Sequence, residues 1–427
     1  MARKVYAITN GCPENQNDTA LMQELLKRNG WRIAECLDEA SLVLVNVCGL
    51  TNAAEEYSLD LIKRLQQQKP PPAELVVCGC LPKINSKRLR QVYNGVTFGS
   101  DEIDALCSYA GIENGPADIS VNYLLPHKKE VFKAENKRPK NHKLRSILDP
   151  YAYIRKMTVP LNRFLEDKTS RMRPNDYYIK ISTGCLNYCS YCAVKLSRGD
   201  VKSKSIEQIV SEFDSGLKKG HKEFALIGTD VGSYGRDIGV DLAHLLKELV
   251  SRKGEFIIKT RNLNPRFFIE MLPDLEASFK SKKIVHISSA AQSGSNRILS
   301  LMNRKYRIED YQYAVRSVQK KFPHIHFRTQ LMVGFPGETE EDFHKTLKLL
   351  DSIFFDSIEL YKYSPRPGTK AASLDNRLPE AIIKKRYNKL YVRAMINMTK
   401  KRFLHNSGHW AQLFGHTGHH AKLSVNW

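Results

Sequence analysis

Three cysteines occur in the order C-x-x-x-C-x-x-C at Cys185, Cys189 and Cys192. Thiolates at this spacing can ligate three irons of a 4Fe-4S cluster and leave the fourth iron open to a substrate or cofactor. A zinc knuckle would need a fourth Cys or His at ligand spacing, and the sequence that follows supplies none nearby. The spacing therefore predicts an iron-sulfur site with one open coordination position.

Three further cysteines, Cys12, Cys48 and Cys80, each come at the end of a predicted strand in the first hundred residues. The carboxyl ends of parallel strands share one edge of a sheet, so residues that are distant in sequence can meet there. For a single cysteine, a small buried hydrophobic residue is the simpler interpretation. The recurrence at three equivalent strand ends favours a second iron-sulfur site with three thiolates.

Short apolar runs alternate with amphipathic segments before and after a basic stretch, which predicts two α/β domains. The first has the order βαβαβα of a flavodoxin-like, doubly wound sheet, and it lacks the G-x-G-x-x-G of a nucleotide-binding domain. Its predicted strands are 4–9, 41–47 and 74–79, and its predicted helices are 18–29, 53–68 and 86–93.

Six further strands alternate with helices from Tyr177 onwards, which predicts a partial (βα)6 barrel rather than the eight units of a closed barrel. Loops rich in polar residues, glycine and proline follow all six strands, so one rim is expected to hold cofactor and substrate. Asp230 and Tyr234 are expected at that rim. The predicted strands are 177–182, 223–228, 255–260, 283–288, 326–333 and 357–363.

These patterns divide the chain into four segments. They are an N-terminal domain over 1–115, a basic linker over 116–173, the barrel over 174–395 and a C-terminal tail over 396–427. The tail is rich in His, Lys and Gly, and we expect it to be solvated and irregular.

The composition is strongly basic, with 67 Lys and Arg against 45 Asp and Glu and a net charge of +22 over 427 residues. This balance suits a polyanionic partner, RNA first, although a generally basic surface and a solvated linker explain it equally well. Nine cysteines in motif-like places favour reduced thiols over disulfides. No signal peptide or apolar run of membrane length occurs, so we expect a cytoplasmic protein without membrane contact.

Several stretches together resemble the methylthiotransferase family of radical S-adenosylmethionine (SAM) enzymes over roughly residues 3 to 395. Besides the six cysteines, they are Gly11-Cys-Pro-Glu-Asn15, Arg198-Gly199, Ser233-Tyr-Gly235, Gln292-Ser-Gly-Ser295, Met302-Asn-Arg304, Val333-Gly-Phe-Pro-Gly-Glu-Thr339 and Tyr363-Ser-Pro-Arg-Pro-Gly-Thr369. The resemblance implies that a methylthio group is inserted at an unactivated C–H position with the use of two SAM molecules.

The resemblance also implies two 4Fe-4S clusters, an auxiliary one held by Cys12, Cys48 and Cys80 and a SAM-cleaving one held by the Cys185 set. It implies SAM neighbours at Tyr191, Gln292, Ser293 and Arg328, and a reductant such as flavodoxin or ferredoxin. The family's hydrophobic-Pro-Val run before this glutamine is replaced by Ser289-Ala-Ala291, so that wall of the SAM pocket is expected to differ.

The family modifies either a tRNA adenosine beside the anticodon, which carries an isopentenyl or a threonylcarbamoyl group, or an aspartate of a small-subunit ribosomal protein. Gly11-Cys-Pro-Glu-Asn15 resembles the ribosomal-protein branch. Tyr363-Ser-Pro-Arg-Pro-Gly-Thr369 and Ser233-Tyr-Gly-Arg-Asp-Ile-Gly239 are more similar to the tRNA branch, the second to its threonylcarbamoyl type. The net charge of +22 adds support for tRNA, because phosphate contacts dominate nucleic-acid affinity.

Two other classes of function stay open from the residues alone. One is a radical SAM enzyme that modifies a peptide or a small molecule and uses its N-terminal cysteines structurally. The other is a non-catalytic iron-sulfur protein that binds RNA. The family's C-terminal RNA-binding β-barrel module is expected to be absent or truncated, since few strand signals follow residue 400.

Overall fold

The computed structural model describes residues 3–113, 115–116, 119–126 and 175–414, with side chains up to residue 401. Most of the predicted basic linker, 127–173, and the last part of the tail, 415–427, lie outside the described residues.

The N-terminal domain is a parallel sheet with helices on both faces. Its strands are β1 (Lys4–Thr9), β2 (Arg32–Ile33), β3 (Leu42–Val47), β4 (Glu74–Gly79) and β5 (Thr97–Gly99), and its helices are α1 (Pro13–Arg28), α2 (Asn52–Gln68), α3 (Cys80–Ile84), α4 (Ser86–Arg90) and α5 (Ile103–Ala110). The strand order β2-β1-β3-β4-β5 confirms the predicted flavodoxin-like fold. Every residue of β3 is buried, as expected of a central strand between two helical layers.

Two details of this domain differ from the sequence prediction. β2 and β5 were not predicted, because two and three residues are too few to show an alternating pattern. Helix α1 begins at Pro13, five residues before the predicted start, and proline at the first helical position is a recognised start signal. As a result, the residues directly after Cys12 lie on a helix.

The second domain is the predicted open barrel. Its six parallel strands are β6 (Tyr177–Lys180), β9 (Glu223–Ile227), β10 (Ile257–Thr260), β11 (Ile284–Ser288), β12 (His326–Val333) and β13 (Ser357–Lys362), with a two-stranded ribbon of β7 (Ser182–Thr183) and β8 (Lys202–Ser203). The six strands lie side by side in chain order, which confirms the (βα)6 arrangement. Their outer faces pack on the helices to form the largest apolar core.

Helices of the barrel follow the predicted pattern closely. They are α6 (Val194–Arg198), α7 (Ile206–Lys218), α8 (Leu242–Val250), α9 (Pro265–Phe279), α10 (Asn296–Leu301), α11 (Ile308–Lys321), α12 (Glu340–Ser352) and α13 (Glu380–Phe414). No helix among the described residues combines the length and the apolar character needed to cross a membrane.

The prediction of an irregular tail from residue 396 is wrong, because α13 continues through it to Phe414. The helix is anchored by buried apolar side chains that pack into the barrel core, namely Leu390, Tyr391, Ala394, Met395 and Met398. Residues 396–401 extend this anchored helix, and tertiary packing of this kind stabilises a helix whose sequence alone gives a weak signal.

The strand-end edges of the two sheets face each other, joined by buried ion pairs. Arg366, which follows β13, pairs with Glu55 of α2, and both side chains are almost fully buried. At the other side, Lys180 Nζ of β6 donates to Asp18 Oδ1 of α1 at 2.8 Å. Each pair joins one domain to the other, so the two rims enclose a shared space.

Candidate active site

The loop that carries Cys185, Cys189 and Cys192 lies between the two short strands of the β7–β8 ribbon. Their antiparallel pairing fixes both ends of this excursion at the top of β6. Gly184 starts the loop with a φ of +73°, and an added Cβ would collide with the carbonyl oxygen of Asp200. The glycine is therefore required for the close approach of these two backbone segments.

All three thiols of this loop face one cavity of about 330 Å³. The N-terminal domain supplies one wall, which includes Leu50 and Thr51, and the barrel supplies the rest. The described residues that line it also include Cys12, Glu14, Asn187, Tyr191, Lys195, Arg198, Asp230, Asn262, Asn264, Gln292, Arg304, Gln330, Met332, Tyr361 and Lys362.

Cys12, Cys48 and Cys80 lie together at the carboxyl edge of the N-terminal sheet, after β1, β3 and β4. The side chain of Asn15 lies between two of them, with Oδ1 at 3.7 Å from Cys12 Sγ and 3.6 Å from Cys80 Sγ. Cys48 is fixed by its backbone N–H, which donates to Asn10 Oδ1 at 3.0 Å. The sheet topology thus places the three cysteines at one edge of the sheet, as the strand-end pattern predicts.

The two cysteine sets are adjacent across the domain boundary. Cys80 packs against Ala193, the residue that follows Cys192, in a small apolar cluster with Leu50 and Ile84. Cys12 lines the same cavity as the Cys185 loop. Cysteines of both sets therefore line one cavity.

The donor chemistry of both sets suits iron-sulfur clusters better than a single ion. Within the described ranges, no three His, Cys, Asp or Glu side chains are grouped closely enough to hold one metal ion. Ligands of a cubane stand further apart, because each thiolate binds a different iron corner. Each set offers three thiols, the number expected for a 4Fe-4S cluster with one open iron.

Burial makes these thiols weak acids in the absence of a metal. It raises the pKa of Cys12 and of Cys192 to about 12, and the pKa of Cys48 and of Cys185 to about 11. Only thiolates ligate iron, so cluster binding here must displace protons.

A half-buried cation, Arg304, lies beside the cysteine loop. Arg304 Nη1 lies 3.6 Å from Cys189 Sγ, and its Nη2 donates to the carbonyl oxygen of Ala290 at 2.7 Å. Arg304 belongs to the family stretch Met302-Asn-Arg304, and no role was predicted for it. Only the fold shows that this arginine lies beside a cysteine.

Of the four residues predicted as SAM neighbours, Tyr191 and Gln292 line the cavity. Gln292 has a φ of +63°, which is strained for a residue other than glycine. Its buried Oε1 has no hydrogen-bond partner among the described residues. The residue lines the cavity, and a carboxamide oxygen without a partner suits a ligand with N–H donors, such as the amino group of SAM.

Ser293 and Arg328 are not among the described residues that line the cavity. Ser293 Oγ instead lies 3.3 Å from Thr346 Oγ1 of α12, on the far side of the turn made by Gln292. Arg328 pairs with Glu359 lower in the barrel. It precedes Met332 by four residues, which places it about 13 Å below the rim.

Asp230 lines the cavity, as expected, whereas Tyr234 does not. The carboxylate accepts from Asn187 Nδ2 at 2.7 Å and from the backbone N–H of Asn264 at 3.1 Å. Burial raises the pKa of Asp230, and its hydrogen bonds partly oppose this. Tyr234 is wrongly predicted, because the 3-10 turn after Asp230 directs its ring into the core and its hydroxyl donates to the carbonyl of Lys204.

Two family models match the chain. The radical SAM superfamily matches residues 179–350, and the uncharacterized protein family UPF0004 matches residues 4–99. A probable threonylcarbamoyladenosine tRNA methylthiotransferase of Pyrococcus horikoshii is 31% identical over 391 residues, covering 91% of this chain and 83% of the relative. The chain belongs to the radical SAM methylthiotransferase family. It is therefore a transferase, and the family implies a 4Fe-4S cluster and SAM.

Other relatives of this methylthiotransferase differ in their named substrates. A tRNA-2-methylthio-N(6)-dimethylallyladenosine synthase of Bdellovibrio bacteriovorus is 30% identical and covers 92% of this chain and 80% of its own. The ribosomal protein uS12 methylthiotransferase RimO of Thermodesulfovibrio yellowstonii is 32% identical and covers 93% and 84%. In fold, the enzyme is similar to the radical SAM methyltransferase TsrM of Kitasatospora setae, with a TM-score of 0.56, 15% identity and coverage of 87% and 74%.

Proposed function

We propose that this methylthiotransferase inserts a methylthio group at a C–H position of a modified tRNA adenosine next to the anticodon. Two 4Fe-4S clusters would serve the reaction, one at Cys185, Cys189 and Cys192 and an auxiliary one at Cys12, Cys48 and Cys80. The observation that carries the proposal is that Cys12 and all three cysteines of the Cys185 loop line one cavity. A substrate bound there is in reach of both sets.

A carbon–hydrogen bond without acidic character cannot be broken by a side-chain base. When bound, SAM and the two clusters supply the radical that takes the hydrogen atom, the sulfur that replaces it and the methyl group on that sulfur. Two SAM molecules are needed, one for the radical and one for the methyl group. A low-potential donor such as flavodoxin or ferredoxin supplies the electron.

The protein's own residues bind SAM, orient the Cys185 loop and shield the reacting centre from water. Gln292, at the cavity wall, would bind the ammonium group of SAM. Asn187 and Asp230 fix the Cys185 loop through the hydrogen bond between their side chains. The apolar side chains of Leu50, Met332 and Tyr191 exclude water from the reacting centre.

The net charge and an exposed aromatic side chain in the cysteine loop support RNA as the substrate. The enzyme carries a net charge of +22, and cations neutralise phosphates. Tyr188, in the cysteine loop, is 63% exposed, and the Lys195 ammonium lies 4.2 Å from its ring centroid. An exposed aromatic ring beside a cation suits stacking on an unpaired base of an RNA loop.

Nucleoside mass spectrometry of tRNA tests this proposal. We expect cells without the gene to lose a methylthio-adenosine nucleoside, and the intact gene to restore it where Cys12→Ala and Cys185→Ala do not. The mass of the lost nucleoside distinguishes the threonylcarbamoyl type from the isopentenyl type. An unchanged tRNA profile together with loss of methylthio-aspartate from the small-subunit ribosomal protein would overturn the tRNA substrate and assign the other branch.

A further inference from the structure

Arg198 crosses from one domain into the other between the two cysteine sets. It is the last residue of α6, which starts two residues after Cys192, and Gly199 ends the helix with a φ of +66°. The side chain of Arg198 is only 4% exposed. Burial of a guanidinium costs desolvation free energy unless hydrogen bonds and ion pairs offset it. The contacts of Arg198 therefore indicate its role.

Among the described residues, the ion pairs and side-chain hydrogen bonds of this guanidinium lie on α1, the helix that begins directly after Cys12. Nη2 donates to Asn15 Oδ1 at 2.7 Å and to Asp18 Oδ2 at 2.9 Å. Nη1 lies 3.7 Å from Glu14 Oε1. The residue therefore joins the C-terminal end of the radical SAM loop to the first turns of the helix behind the other cysteine set.

Asn15 lies between Arg198 and two of the cysteine sulfurs. The oxygen that accepts from Arg198 is the same atom that lies 3.7 Å from Cys12 Sγ and 3.6 Å from Cys80 Sγ. The amide nitrogen of Asn15 donates to Asn46 Oδ1 at 2.9 Å, which fixes the orientation of the side chain. One buried amide thus separates the guanidinium charge from two sulfurs.

A second cation offers an internal comparison. Lys180 also comes from the barrel domain and donates to Asp18 Oδ1 at 2.8 Å, but its hydrogen bonds within the described residues do not include Asn15. Lys180 and Arg198 therefore share a carboxylate partner and a role in joining the domains. They differ in their contact with the amide that faces the cysteines.

We propose that Arg198 is a positioning residue that holds the Cys12, Cys48 and Cys80 set against the radical SAM loop and raises the reduction potential of a cluster bound there. A cation in a poorly polarisable interior favours the extra negative charge that a cluster gains on reduction. The hydrogen bond to Asn15 keeps this charge at a fixed distance from the sulfurs. The inference rests on the proposed function, which assigns a cluster to this set.

A redox titration of the auxiliary cluster alone tests the inference. The parent is the full chain with Cys185→Ala, Cys189→Ala and Cys192→Ala, reconstituted with iron and sulfide and followed by electron paramagnetic resonance. We expect Arg198→Met to shift the midpoint potential to a more negative value. Arg198→Lys keeps the positive charge, so its midpoint potential should lie close to that of the parent. Lys180→Met is the matched control, and it should leave the potential at the parent value.

Iron content and circular dichroism of each variant accompany the titration. If Arg198→Met does not load iron, Arg198→Gln replaces it, since it removes the charge and keeps an amide donor toward Asn15. Equal potentials for the parent and the charge-removed variant, at equal iron content, would overturn the inference and leave the proposed function intact. A parent that holds no iron would overturn both.

Discussion

Gln292 combines three properties that seldom occur together in one residue. It has a positive φ, it is buried, and its side-chain oxygen has no hydrogen-bond partner among the described residues. Backbone hydrogen bonds hold it in place, with its N–H donating to the carbonyl of Gln330 and its own carbonyl accepting from Met332. Backbone strain and an unpaired polar atom persist only where the surrounding structure imposes them. A ligand that hydrogen-bonds to this side chain would offset their free-energy cost.

We expect Gln292→Leu to weaken SAM binding about tenfold or more, because a hydrogen bond to a charged group contributes about 1.5–3 kcal/mol. Equilibrium dialysis of SAM against the reconstituted enzyme measures this change. The neighbouring Ser293→Ala is the control, since its hydroxyl faces Thr346 and not the cavity. Equal dissociation constants for the two variants would rule out a role for Gln292 in SAM binding.

For single residues, the sequence predicted which side chains are suited to bind a metal or cofactor better than it predicted where those side chains point. The spacing of the cysteines and their strand-end placement located both sets, because parallel strands align their carboxyl ends. Arg198 and Arg304 received no role, since a lone arginine in sequence looks like any surface cation. Only the packing of α6 and the strand-end loops shows that Arg198 is buried and that Arg304 lies beside Cys189.

Helix α13 is the element for which the prediction from sequence was least accurate. Its C-terminal half carries histidines and glycine, and the pattern alone favoured an irregular tail. Asn397 shows what holds it. Its Nδ2 donates to the carbonyls of Leu350 and Ile353 at 2.5 and 2.6 Å, and its Oδ1 accepts from the N–H of Phe355 at 2.9 Å.

This one side chain satisfies three backbone groups at the end of α12, and periodicity cannot reveal such a contact. We expect Asn397→Leu to lower the free energy of unfolding by about 3 kcal/mol or more, since each buried backbone group left unpaired costs about 1–3 kcal/mol. Urea unfolding followed by circular dichroism measures the change.

The adjacent Ile396→Ala is the control for this element, because Ile396 is 42% exposed and should change stability by only about 0.5 kcal/mol. A urea midpoint for Asn397→Leu equal to that of Ile396→Ala would show that the buried contact does not anchor the helix.

Across the whole molecule, the order of elements was predictable and the way the domains meet was not. Alternation and strand ends predicted both sheets, since each local signal agrees with the global fold. The buried pairs Arg366–Glu55 and Arg198–Asp18 join residues 311 and 180 positions apart, and nothing in the sequence around either partner indicates the other. These pairs bring the two rims together around one cavity.

The central claim is that two separate sets of three cysteines each hold a cluster at this shared cavity. Iron and sulfide content after anaerobic reconstitution tests it most directly. We predict about eight irons per chain for the intact enzyme and about four for each of two variants, one with Cys185, Cys189 and Cys192 changed to Ala and the other with Cys12, Cys48 and Cys80 changed to Ala. Loss of all iron in the first variant, or retention of about eight in the second, would contradict it.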